Sequence, residues 1–165
     1  MALPDLRVYP VDDGKSHRQF CDLPYRLYRS ERCWVAPLRS EERRRWSPQH
    51  NASLRRRWCQ RFIARRGKAV VGRVAAVIDE EFARRWSPGA GFFGFFECAE
   101  DEAARALLAA AETALRDEGR TRLIGPVNLT THDEVGLLVA GHDSPPMLLS
   151  PYNPPQYERF VLGAG

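Results

Sequence analysis

The chain has 165 residues, 44% of them hydrophobic, with a formal net charge of +4. That length suits one domain with a substantial core and excludes a disordered chain, a collagen-like repeat and a disulfide-stapled miniprotein. The charge is unevenly placed: residues 1–78 hold eighteen basic and seven acidic side chains, the rest holds seven and fourteen, and 23 of the 25 cations are arginine.

Met1 to Pro10 lacks a basic start followed by an apolar run, so no secretory leader is expected, and the longest uncharged apolar stretch, Trp86 to Phe96, is too short to span a bilayer. A cytoplasmic protein with no membrane partner is expected. Cys21, Cys33, Cys59 and Cys98 form no C-x-x-C pair, which argues for reduced thiols and against a metal site.

In chain order, Arg7 to Pro10 reads as a short strand. Ser16 to Glu31 repeats apolar residues at helical spacing but contains Pro24, which predicts a kinked or two-piece helix. Trp34 to Leu38 is a connector, and Ser40 to Trp46 is a basic helix with Glu41 and Glu42 in its first turn. Arg61 to Arg65 and Ala69 to Ile78 flank a turn at Arg66-Gly67-Lys68, a β-hairpin pattern. Gly91 to Cys98 has phenylalanines at 92, 93, 95 and 96, the mark of a strand covered on both faces.

Asp101 to Glu118 is the clearest helix. Ala104, Leu107, Leu108, Ala111 and Leu115 fall on one stripe, Asp101 is placed to cap its start, and Gly119 sits where a left-handed terminator belongs. Arg122 to Gly125 then gives a strand, so Gly91 to Gly125 reads as a βαβ unit with parallel strands. Asn128 to Pro155 is polar and turn-rich, the profile of a binding loop. A last short helix is expected from about Pro154 to Leu162.

This α/β order is similar to that of the GNAT superfamily of acyl-CoA N-acyltransferases. The likeness rests on Ala69-Val70-Val71-Gly72-Arg73-Val74 as its third strand, Gly91 to Glu97 as its central strand, Leu107 to Glu112 ending at Gly119 as the helix that follows, and Asn153 to Gly163 with Tyr157 as a later helix. Gly94-Phe95-Phe96-Glu97, Gly125-Pro126-Val127-Asn128 and Tyr152-Asn153-Pro154-Pro155 further resemble a little-characterised bacterial GNAT-like subgroup. The resemblance implies a mixed sheet flanked by helices, with C-terminal strands missing or supplied elsewhere, so that a sheet edge is left for self-association or a partner. It also implies N-acyl transfer from acetyl-CoA or another acyl-CoA, as co-substrate, to a small-molecule amine or a peptide, with no metal.

By that resemblance Glu97 is the base and Tyr157 the acid, with Tyr152 as a substitute. Phe96, Cys98, Ala99 and Asn153 would line the acyl-CoA, and Asn128, His132 and Glu134 the acceptor. The place of the family's glycine-rich phosphate loop reads Glu97-Cys98-Ala99-Glu100-Asp101-Glu102. It has no glycine and four carboxylates. Carboxylates facing a diphosphate would oppose binding, whereas carboxylates turned to solvent would merely complement the helix dipole. A second reading comes from Arg39 to Arg73, which has twelve cations and two anions interleaved with Trp46, Trp58 and Phe62. Such a segment would suit a catalytically inactive GNAT-fold module that binds nucleic acid or an acidic partner.

Overall fold

The two ends of the hairpin pattern become the middle of a sheet. The computed structural model describes residues 4–165, and in it β1 (Leu6–Pro10), β2 (Trp58–Arg66), β3 (Ala69–Ile78), β4 (Ala90–Cys98) and β5 (Arg122–Ile124) form one five-stranded sheet in the order β1-β2-β3-β4-β5. The first four strands pair antiparallel and β5 pairs parallel to β4, as the strand, helix, strand pattern requires. The hairpin turns at Gly67, whose φ of 59° is cheap only for glycine.

One face of the sheet is covered by α1 (Gly14–Leu27) and the other by α5 (Asp101–Asp117), with α6 (Gln156–Leu162) beside α5. The core is therefore split. Phe62, Val74, Phe93, Phe96, Leu107 and Leu115 pack on the α5 side, whereas Phe20, Leu23, Ile63, Val77, Phe92 and Phe95 pack on the α1 side. Short helices α2 (Arg39–Arg45), α3 (Ala52–Arg55) and α4 (Glu80–Arg85) fill the connections. Neither α3 nor α4 is long enough to show a period, and the sequence reading misses both.

Two expectations are corrected. Residues 14–27 form one continuous helix with Pro24 buried inside it, which removes the two-piece alternative and leaves the kinked one. Its start is fixed by a capping box: Asp13 accepts from the Ser16 amide at 2.6 Å while the Ser16 side chain reaches back to the Asp13 amide. Pro24 has no N–H for the Phe20 carbonyl four residues earlier, and Arg73 Nη1 donates to that carbonyl at 2.9 Å instead. The second correction concerns α5. Its N-cap is Glu100 without a side-chain cap bond, and Asp101 pairs instead with Arg105 at 2.5 Å. Its C-terminus does end at Gly119, with φ of 75°.

Candidate active site

The site begins with an irregularity in β4. Arg73 pairs with Glu97 and Ala75 with Gly94, so two residues of β4, Phe95 and Phe96, stand opposite Val74 alone. This is a β-bulge, and Phe95 takes φ of 50° to make it. Side chains on a regular strand alternate with period two. The bulge breaks that parity, so Phe92 and Phe95 share the α1 face while Phe93, Phe96 and Cys98 share the α5 face. Glu97 thereby joins the face where Arg73 lies, beside α1 and α2.

Beyond the bulge, β4 has no partner strand on its β5 side, because β5 ends at Ile124 opposite Phe92. Side chains and a loop take over. The Val127 amide donates to the Phe93 carbonyl at 2.8 Å, the Phe95 amide donates to Asn128 Oδ1 at 2.6 Å, and the Cys98 amide donates to the Tyr157 hydroxyl at 2.7 Å. Gly94 permits the close approach, since a Cβ there would lie 2.0 Å from the Val127 carbonyl oxygen.

Glu97 sits where these elements converge. Its Oε2 accepts from the Tyr157 hydroxyl at 3.0 Å and also from the Tyr28 hydroxyl at the end of α1, and Oε1 lies 3.9 Å from Arg73. Arg73 is itself buried and is shared with a second buried carboxylate, Glu42 of α2, at 3.0 Å. Glu97 is only 14% exposed. Burial pushes its carboxyl up to about 7, against the opposing pull of Arg73 and the two tyrosine hydroxyls, and the nearby Glu134 adds to the rise. Burial together with the Glu97 charge holds Tyr28 and Tyr157 well above the ordinary phenol value, so both stay protonated donors.

Of these groups, Glu97, Tyr157, Arg73 and Glu42 line a cavity of about 150 Å³, and Tyr28 reaches Glu97 from outside its lining. Its walls are aromatic and proline-rich, from Tyr25, Trp34, Phe95, Pro146, Pro151 and Tyr152, and its charged lining is Glu42, Glu97 and Glu134 against Arg45 and Arg73.

The structure brings together most of the residues named from sequence. Glu97, Phe96, Asn128, Glu134, Tyr152, Asn153 and Tyr157 all line this cavity, and His132, Cys98 and Ala99 do not. Asn128 has both amide ends engaged, with Nδ2 donating to Glu134 at 2.8 Å, so it positions Glu134 as well as β4. Asn153 is buried and clamps Leu138 through both the amide and the carbonyl of that residue. Tyr152 donates to Glu31 at 3.1 Å. The Ala99 amide serves the sheet by donating to the Val71 carbonyl at 2.8 Å, and burial pushes the Cys98 thiol up to about 12.

The carboxylates of residues 97–102 do not face one point. Glu100 and Glu102 are both drawn to Arg66, at 2.8 and 2.5 Å, and Asp101 is held by Arg105. With the amides of 98 and 99 engaged, the donors left for an anion are those of the first turn of α5, which have no intrahelical partner. Residues 97–102 thus offer a diphosphate a helix start with neutralised carboxylates rather than a glycine cradle. The arginines of residues 39–73 are likewise largely engaged: Arg39, Arg43, Arg44, Arg45, Arg57, Arg66 and Arg73 all lie within ion-pair distance of carboxylates.

Sequence reasoning missed Tyr28, Glu42 and Arg73. Arg73 leaves a trace, as the one charge in the apolar run from Ala69 to Ile78, and Pro24 leaves another, as the source of an orphaned carbonyl. Tyr28 lies 69 residues from Glu97 and leaves none.

An α/β chain with this order of strands, a bulged β4 and a later helix whose tyrosine reaches it has the fold of the GNAT superfamily. Two solved structures make the comparison concrete. A tandem GNAT protein from the clavulanic acid biosynthesis pathway superposes over 97% of this chain and 43% of its own, with a TM-score of 0.61 at 17% identity. A predicted acetyltransferase from Clostridium acetobutylicum, solved with acetyl-CoA, superposes over 73% of this chain and 79% of its own, with a TM-score of 0.53 at 13% identity. Among curated proteins, the chain is 39% identical over 153 residues to bacterial ceramide synthase of Caulobacter vibrioides, and 31% identical over 149 residues to protein YghO of Escherichia coli. Those alignments cover 91% and 90% of this chain but 40% and 38% of the relatives, so the chain spans about two fifths of their length. No family model matches the sequence.

Proposed function

We propose that this chain carries the base and acid of an N-acyltransferase that moves an acyl group from an acyl-CoA thioester to the amine of a molecule with a long apolar body. The observation that carries this reading is geometric: Glu97 lines the cavity and its carboxylate accepts from the hydroxyls of Tyr28 and Tyr157, while burial pushes the carboxyl up to about 7. A base poised near neutrality is half ionised at working pH and so combines availability with proton affinity. Glu97 removes a proton from the attacking amine as the N–C bond forms. The C–S bond then breaks, Tyr157 gives its proton to the departing thiolate, and Glu97 returns the proton to Tyr157 through their hydrogen bond. No proton is gained or lost by the protein over the cycle. Arg73 and Tyr28 hold the carboxylate in place.

The name of the Caulobacter relative supports the acceptor class, since a ceramide is the amide of a long-chain amino alcohol. The carboxylates of Glu42, Glu97 and Glu134 would meet the amine of such a molecule, and the rings of Tyr25, Trp34 and Phe95 its hydrocarbon part. The structure solved with acetyl-CoA supports a CoA-type donor, which α5 would meet at its first turn. A cytoplasmic site of action is part of the same proposal.

The test is amide formation, followed by mass spectrometry, from acyl-CoAs of increasing length and a long-chain amino alcohol. Glu97→Gln is expected to lower turnover by about a hundredfold or more, and the wild-type rate should rise with pH and level off above about 7. Absence of amide with every donor refutes the proposal. In the alternative, a non-catalytic module that binds nucleic acid or an acidic partner through its arginine-rich first half, the glycine-free segment Glu97 to Glu102 supports the loss of CoA binding; binding of the partner would then be indifferent to Glu97→Gln.

A further inference from the structure

Single exposed apolar side chains are ordinary, but a cluster around one opening is not. Two uncharged segments, Cys33 to Leu38 and Ser144 to Tyr152, both line the cavity, the first through Val35 and Pro37 and the second through Pro146 and Pro151. Their remaining apolar side chains point to water: Val35 is 63% exposed, Leu38 71%, Met147 82% and Leu148 93%. Leu149, also exposed, closes a turn in which the Ser150 amide donates to the Met147 carbonyl at 3.0 Å, and it takes φ of 62° to do so. A turn that needed only solubility would place glycine, asparagine or aspartate there, because a leucine in the left-handed region carries about 1 kcal/mol of strain.

The segments are held, not loose. Tyr25 donates to the Pro37 carbonyl at 2.9 Å, Tyr152 donates to Glu31, and the Tyr152 ring packs edge-on against Tyr28. The leucine tip is therefore presented on a braced frame. In the segment that follows α1, next to the Glu31 that Tyr152 engages, Arg29 and Arg32 are exposed and have no carboxylate within ion-pair distance among the described residues, while Arg39, 55% exposed, keeps one partner, Asp22. An apolar tip that protrudes into water, braced on a segment that carries free guanidinium groups, matches the layered chemistry of a lipid surface, with hydrocarbon below and phosphate above. No helix among the described residues is long and apolar enough to cross a membrane, so the contact would be peripheral.

We infer that this face docks on an anionic lipid bilayer. Met147, Leu148, Leu149, Val35 and Leu38 enter the headgroup boundary, Arg29 and Arg32 pair with lipid phosphates, and the cavity opening is held against the lipid. This inference stands apart from the acyl-transfer reading and is tested without any activity measurement.

The experiment is flotation of the 165-residue chain with phosphatidylcholine vesicles, with and without phosphatidylglycerol. Binding is expected to vesicles that contain phosphatidylglycerol and to weaken with salt. The double substitution Met147→Ser/Leu148→Ser should lower partitioning by at least about tenfold, and Arg29→Gln/Arg32→Gln should abolish the preference for anionic lipid. All four positions are exposed, so circular dichroism should be unchanged. Absence of binding to either vesicle overturns the inference, as does equal binding by the Met147/Leu148 variant. So would self-association lost in that variant without any lipid binding, which would assign the patch to a second copy of the chain.

Discussion

Replacing Glu97 with glutamine should make the protein more stable at neutral pH, and the size of the gain follows from the site. Burial raises the Glu97 carboxyl from 4.5 to about 7, so the folded state binds a proton more tightly than the unfolded chain. For such a group, stability is fully present below the unfolded value and is lost as pH rises through the folded one. At 1.36 kcal/mol per pH unit, the window from 4.5 to about 7 corresponds to a loss of about 3 kcal/mol. Glutamine keeps the shape and can still accept from Tyr28 and Tyr157, but carries no charge to desolvate. Urea unfolding from about pH 4 to pH 8 should therefore show wild type and Glu97→Gln converging at the acid end and separating in favour of the variant by neutrality. The reasoning fails if the difference is flat with pH, or if wild type gains on the variant as pH rises. Either result would mean that Arg73, 3.9 Å away, outweighs burial and holds the carboxylate ionised.

Arg73→Met should cost about 3 to 5 kcal/mol in the same unfolding assay, because it removes the buried cation shared by Glu42 and Glu97 and leaves Glu42 only the more distant Arg45, at 3.9 Å. Part of that loss should return with Pro24→Ala in the same chain, as the restored amide at position 24 takes over the Phe20 carbonyl that Arg73 now serves. Tyr28→Phe removes a hydrogen bond to the ionised carboxylate and should move the acid limb of the pH–rate profile upward by about one unit or more, with the fold retained by circular dichroism. Gly94→Ala should lower the melting temperature sharply, since its Cβ would collide with the backbone of Val127. Gly14→Ala, with nothing within 4 Å of the added carbon, should not.

The bulge in β4 links fold to chemistry in this chain. A regular strand would send Phe96 and Phe92 to one face and Glu97 to the other, among the apolar side chains packed under α5. The extra residue places Glu97 beside Arg73 and leaves its backbone neighbour, the Cys98 amide, for Tyr157. Asn128 and Tyr157 then stand in for a paired strand along the open edge of β4, so two residues read from sequence as ligands of substrate or as acid also hold the backbone that shapes the cavity.

The sequence by itself determined what repeats locally. The apolar stripe from Ala104 to Leu115 expresses a helical period, the hairpin a turn signal at Gly67 and the strand of phenylalanines a continuous apolar run, and such local signals survive in any tertiary context that buries them. Glu97 and Tyr157 were legible through the resemblance of their surroundings to a known fold. Only the tertiary structure decided what they meet. Tyr28 and Glu97 are 69 residues apart, and Glu42 and Arg73 are 31 apart. Nothing in local spacing distinguishes Glu42 as a buried partner of Arg73 from an ordinary acidic residue in a helix's first turn. The tip at Leu148 was equally hidden, since the sequence reads residues 128–155 only as a polar, turn-rich binding loop, and the fold shows which apolar side chains in it stand exposed. Such pairings depend on which faces the sheet brings together, and that is settled by long-range packing of the whole chain rather than by any window of it.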